Sequence, residues 1–126
     1  MRLVEIKGTN IDISDYIEDY VENKLKAVAK LTEKFEPCDI RIDVGKTTKH
    51  QSKGRIFHAE FNLTIPGKML RAEATGYDLY DAIDIAANEL RRRVVDFRDK
   101  MIEADRVPTE MTIEEIEEMR EEKGEY

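Results

Sequence analysis

The chain has 126 residues, 40% of them apolar and 39% charged, with a formal net charge of -7. That length suits one domain of modest core plus a tail, and the longest apolar runs fall far short of the roughly 20 residues a membrane-spanning helix needs. The N-terminal MRLVEIKG lacks the apolar stretch of a signal peptide. Cys38 stands alone, so no internal disulfide is expected; it reads as a small packing residue in a reducing, cytoplasmic setting.

Residues 2–7, RLVEIK, alternate Val4 and Ile6 against charged neighbours, the pattern of a short half-buried strand, and Gly8-Thr9-Asn10 is expected to break it. Ser14 can cap a following helix, with Asp15, Glu18 and Asp19 near its positive end. Ile17, Val21, Leu25, Val28, Leu31 and Phe35 then form one apolar stripe, which Pro37 should terminate. Ile40, Ile42 and Val44 alternate with Asp39, Arg41 and Asp43 in a second strand. In the third, Phe57, Ala59, Phe61, Leu63 and Ile65 oppose His58, Glu60, Asn62 and Thr64. Pro66-Gly67 signals a turn into a fourth strand, where Leu70, Ala72 and Ala74 alternate with Arg71, Glu73 and Thr75 before Gly76 ends it. Asp78 can cap a second helix with its stripe at Leu79, Ile83, Ala86, Leu90, Val94, Phe97 and Met101.

The order is β-α-β-β-β-α. Strands with one apolar face and helices with one apolar stripe predict an α+β fold, a four-stranded mixed sheet with both helices on one face. A right-handed crossover makes the first two strands parallel, and hairpins make the remaining neighbours antiparallel. Residues 1–106 are expected to form this body. Residues 107–126 are expected to be an acidic, flexible tail, because they hold eight Glu against Arg120 and Lys123. The body is left with 20 acids and 19 bases, close to neutral.

No catalytic constellation emerges. His50 and His58 fall on different elements without ligand spacing, GKTTKH lacks the earlier Gly of a phosphate loop, and Asp78, Asp81 and Asp84 suit the dipole of a helix start. No enzyme activity, cofactor, metal or small-molecule substrate is expected.

The bases are more informative. Lys26, Lys30 and Lys34 follow i, i+4 spacing as a cationic ridge, and the segment 45–54, read as a loop, carries Lys46, Lys49 and Lys53 without an acid, followed by Arg55. Arg91, Arg92 and Arg93 are consecutive, and consecutive helical residues lie about 100° apart, so the three fan around the second helix. Arg91 shares a flank with Arg98, Arg93 shares the other with Lys100, and Arg92 points away from the core. Glu89 and Asp96 could instead pair with these bases along the helix. Three basic segments on a near-neutral body suit phosphate neutralisation more than base readout.

The stretches IKGTNIDISDYIEDYVENKLKAVAKL (6–31) and FNLTIPGKMLRAEATGYDLYDAIDIAANELRRRV (61–94) resemble the ribosome hibernation promoting factor and ribosome-associated inhibitor A family, the ribosomal subunit interface proteins. The resemblance spans roughly residues 2–103, and IPGKMLRAE followed by DLYDAID is its specific part. It implies a fold akin to double-stranded RNA-binding domains. It also implies binding to 16S rRNA of the small ribosomal subunit and the 70S ribosome, in the channel of messenger and transfer RNA, silencing or storing ribosomes under stress by steric exclusion. Lys24, Lys26, Lys30, Arg92 and Arg98 would face rRNA, with Arg91 and Arg93 beside them. Glu89 and Asp96 depart from the family, which often has Lys there. The implied form is the short one, with no membrane partner and a monomeric state off the ribosome. Two other readings are a protein-interaction module working through Glu114–Glu122 and a general double-stranded RNA-binding module.

Overall fold

The computed structural model describes residues 1–47 and 56–105. They form β1 (Arg2–Thr9), α1 (Asp15–Leu31), a 3₁₀ turn (Glu33–Phe35), β2 (Asp39–Thr47), β3 (Ile56–Ile65), β4 (Lys68–Gly76) and α2 (Leu79–Asp105). The expected α+β order is found. The chain divides into two compact units, Met1–Val95 and Asp96–Tyr126, with the boundary inside α2.

In the first unit the sheet order is β1-β2-β3-β4. β1 and β2 are parallel, while β2–β3 and β3–β4 are antiparallel. Ile40, Ile42 and Val44 of β2, Ala59, Phe61, Leu63 and Ile65 of β3, and Leu70 and Ala72 of β4 are buried. So are Ile17, Val21, Leu25 and Val28 of α1, and Leu79, Ile83, Ala86, Leu90 and Val94 of α2. Both helices therefore close one face of the sheet, and removing that apolar surface from water is the main driving force for the layer. The other face carries Arg41, Asp43, Glu60, Arg71 and Glu73, laced by pairs such as Arg71 Nε to Glu60 at 3.0 Å.

Direction follows from topology. β1 and β4 point the same way, and each is followed by a helix that returns across the sheet, so α1 and α2 run parallel. The side chains between them agree: Tyr16 meets Tyr80, Tyr20 meets Tyr80 and Asp84, and Lys24 meets Asp84, with positions rising together on both helices.

Four expectations are corrected. Val4 does not face the core with Ile6; it is 38% exposed, because the register shifts between Leu3 and Glu5. That extra residue lets Leu3 oppose Ile40 and Ile6 oppose Ile42, two inward positions of β2, although Leu3 and Ile6 are three apart. Gly8 and Thr9 do not break β1 but pair with Val44 and Gly45, and the chain turns at Asn10, whose φ is 60°. A Cβ on Gly8 would lie 2.4 Å from the Ile11 carbonyl oxygen, so glycine is needed for close approach.

Helix α1 ends at Leu31, well before Pro37. Thr32, fully buried, caps it with its N–H on the Val28 and Ala29 carbonyls, and Phe35 belongs to the 3₁₀ turn that follows. Finally, Met101 is 41% exposed, so the apolar stripe of α2 does not extend that far.

Candidate nucleic-acid interface

The two helix starts are built as their sequences dictate. Ser14 Oγ accepts from the Ile17 N–H at 3.2 Å, and Asp78 Oδ1 accepts from the Tyr80 N–H at 2.7 Å. Asp15, Asp19 and Glu22 of α1 and Asp81 of α2 are exposed in the N-terminal halves. Lys26 and Lys30 of α1 and Arg91, Arg92 and Arg93 of α2 are exposed in the C-terminal parts that belong to the first unit. Because the helices are parallel, the acidic halves lie side by side and so do the basic ones. On α1 the basic end also meets the negative end of the helix dipole, where Lys30 in the last turn is stabilised. A near-neutral body thus carries a cationic end to its helical layer.

Individual residues differ in how free they are. Lys24 is tied inward: its Nζ lies 3.1 Å from Asp84 and 5.5 Å from the centre of the Tyr20 ring. Lys26 and Lys30 have no ion-pair partner among the described residues. Lys26 sits on the flank toward β1, beside Met1, Leu3 and Leu25, while Lys24 sits on the flank toward α2. The geometry therefore does not gather all the α1 lysines on one side. Lys34 is exposed, but it stands in the 3₁₀ turn and does not continue the helical ridge.

On α2, Asp84 and Tyr80 identify the flank that faces α1, and Arg91 lies seven residues after Asp84 on that same flank. Arg93 lies on the opposite flank with Ile85 and Glu89, toward the β4 edge. Glu89 joins two of the three arginines, Oε2 to Arg92 at 2.8 Å and Oε1 to Arg93 at 3.4 Å. Arg91 has no ion-pair partner among the described residues. In the second unit, Arg98 is half-buried with its Nε 3.9 Å from Asp99, and Lys100 is exposed.

Lys46 is not in a loop. It pairs with Phe57 as part of β2, half-buried, on the same side of the strand as Ile42 and Val44. Lys49, Lys53, Arg55 and His50 lie outside the described residues, as does the acidic segment 107–126. His58 lies on the open sheet face, its Nε2 3.6 Å from Asp43. Among the described residues, no three His, Cys, Asp or Glu side chains group as a metal site, and no helix is long and apolar enough to cross a membrane.

The interhelical tyrosines are a feature that periodicity alone does not reveal. Tyr20 donates from its hydroxyl to Asp84 Oδ1 at 2.7 Å, and this bond, with burial and the carboxylate charge, pushes its pKa up to about 12. Tyr16 and Tyr80 pack edge to face at 5.7 Å beside it. The sequence signal available was the shared flank of Tyr80 and Asp84, four residues apart on α2.

Residues 4–102 match the family model described as Sigma 54 modulation protein / S30EA ribosomal protein. The chain belongs to this family. Among its S30EA relatives, a ribosome hibernation promoting factor of Azotobacter vinelandii is 30% identical over 100 residues, covering 79% of this chain and 86% of the relative. A ribosome hibernation promotion factor of Deinococcus radiodurans is 28% identical over 98 residues, covering 78% of this chain and 50% of the relative. The chain thus spans about half the length of the first curated relatives it matches. The crystal structure of the Thermus thermophilus Protein Y N-terminal domain is similar at a TM-score of 0.58 and 32% identity, covering 77% of this chain and 99% of that one. A ribosomal subunit interface protein from Coxiella burnetii shares the fold at a TM-score of 0.60 and 20% identity, covering 79% and 99%.

Proposed function

We propose that this S30EA-family chain binds the ribosome and acts in hibernation, with the basic end of its helical layer set against 16S rRNA in the mRNA and tRNA channel of the small subunit. Binding there silences or stores ribosomes by steric exclusion, without catalysis, in the cytoplasm. The observation that carries the reading is the parallel alignment of α1 and α2, which brings the basic part of α1, with Lys26 on its β1 flank and Lys30 in its last turn, to the same end of the layer as Arg91, Arg92 and Arg93. Exposed ammonium and guanidinium groups in that number suit a run of backbone phosphates. The names of the relatives, hibernation factors in Azotobacter and Deinococcus, support the same direction. In this reading Lys24, Lys34, Lys46, Lys49, Lys53, Arg98 and Lys100 are peripheral contributors, residues 1–106 are the binding body, and 107–126 are dispensable for binding.

Co-sedimentation with 30S and 70S particles tests it. Binding should fall steeply as salt rises, because each neutralised phosphate releases counterions. Joint reversal Lys30→Glu, Arg91→Glu and Arg92→Glu should release the chain from the particles while its far-UV circular dichroism stays unchanged. Retained binding by that folded variant would remove the helix ends from the interface.

A further inference from the structure

The two edges of the sheet differ. β1 carries the register shift at Leu3–Glu5, a device that twists an edge away from pairing. β4 is the other edge, nine residues with a continuous register to β3 over Lys68–Gly76. Among the described residues nothing hydrogen-bonds to its outer side. Beside it runs a cleft lined by Arg71, Glu73, Ile85, Glu89 and Arg93.

The charges in that cleft are ordered. Tyr77 and Asp78 turn the chain back after β4, so α2 runs antiparallel to it. Arg71 precedes Glu73 on the strand, while Glu89 precedes Arg93 on the helix, so both arginines lie toward one end and both glutamates toward the other. Such a dipolar cleft is complementary to its own copy turned through a two-fold axis. Antiparallel pairing of β4 with a second β4, centred on Ala72, places Arg71 opposite the second copy's Glu73 and Glu73 opposite its Arg71. Charges that blunt an edge against self-pairing would repel in this register; these attract. The two side chains are accessible for exchange, Arg71 at 56% and Glu73 at 67% exposure, and now bond each other at 3.1 Å. Met69, 63% exposed, and Ile85, 53% exposed, supply the apolar cover that a bare edge lacks.

We propose that β4 is a self-association edge, through which two copies of this chain join into a continuous eight-stranded sheet with Arg71 and Glu73 setting the register. This is independent of ribosome binding and stands against the sequence expectation of a monomer off the ribosome, and the mass of the chain in solution decides between the two. Exposed ion pairs contribute little energy, so the backbone ladder and the apolar cover hold the pair while the charges choose the alignment.

Sedimentation equilibrium of the full chain from micromolar to millimolar concentration is the test. The mass should rise from 14.7 kDa toward twice that value. Arg71→Glu alone and Glu73→Arg alone should each weaken self-association by roughly tenfold or more, because each places like charges opposite one another twice. An equimolar mixture of the two variants should associate again, since one strand then carries two acids and the other two bases. Amide exchange in Lys68–Gly76 of the unaltered chain should slow as concentration rises, a readout that requires no variant. A monomer at every concentration, single variants that pair like the parent, a silent mixture, exchange indifferent to concentration, or association that disappears on deleting 107–126 would each overturn the proposal.

Discussion

Tyr20 on α1 donates its hydroxyl proton to Asp84 on α2 at 2.7 Å, and Lys24 reaches the same carboxylate oxygen at 3.1 Å. One carboxylate thus ties two α1 side chains one turn apart to a single turn of α2, and pins the register of two helices that the topology already makes parallel.

Replacing Tyr20→Phe removes that hydrogen bond and should cost about 1 kcal/mol, read as a lower urea midpoint. Its pH dependence has a definite sign. The folded-state pKa is pushed up from 10.0 to about 12, first by the hydrogen bond to Asp84, then by burial and the Asp84 charge. The contribution is therefore fully present below pH 10.0 and fades as pH rises through about 12. Ultraviolet titration should show one tyrosine ionising about two pH units after an ordinary phenol, and Tyr20→Phe should remove that late step.

Glu89 occupies two of the three exposed arginines, and a ligand phosphate must compete with it. Glu89→Gln should raise affinity for small-subunit particles by roughly two- to fivefold at low salt, since each exposed helical pair is worth only about 0.3–0.5 kcal/mol. The same change should leave thermal stability within about 0.5 kcal/mol. Filter binding over a salt series checks it, and unchanged affinity would mean that Arg92 and Arg93 do not meet phosphate.

Cys38 is buried and its Sγ donates to the Phe35 carbonyl at 3.1 Å. Burial, followed by the Glu36 charge, raises the thiol above its usual range. Since the thiolate is the reactive form, iodoacetamide should modify native Cys38 at least roughly a hundredfold more slowly than the urea-unfolded chain. Fast labelling of the native protein would show that the segment from the 3₁₀ turn to β2 opens readily.

Element order, both N-caps and the inward residues of β2, β3 and β4 were legible because period-2 and period-3.6 patterns are written in single residues. Val4 was not, because a bulge inserts one residue and reverses the apparent face, and nothing in RLVEIK marks it apart from its neighbours. The end of α1 was misplaced because Phe35 continues the spacing of the stripe. The backbone nevertheless leaves the helix at Thr32, whose hydroxyl bonds the Ala29 carbonyl at 3.1 Å. For the basic surface, each lysine and arginine was visible, but their grouping was not. It depends on two helices running parallel and on Asp84 drawing Lys24 inward, relationships that span residues far apart in the chain, whereas the local pairing of Glu89 with Arg92 and Arg93 was open to the helical spacing.

Gly45 offers a last and more local test of the sheet. It pairs with Thr9 on one side and His58 on the other, at the point where β1 finishes against β2. A Cβ there would stand 2.3 Å from the Thr9 carbonyl oxygen and 2.8 Å from His58 Cε1. The imidazole can rotate aside, but the Thr9 carbonyl is backbone, so β1 must shift away from β2. Gly45→Ala should therefore destabilise the fold by about 1–3 kcal/mol, although alanine favours strands no less than glycine does. Chemical denaturation should show that loss, and amide exchange should accelerate first at Lys7, Gly8 and Thr9. If Gly45→Ala is neutral, the close approach of β1 at Thr9 is not maintained in solution.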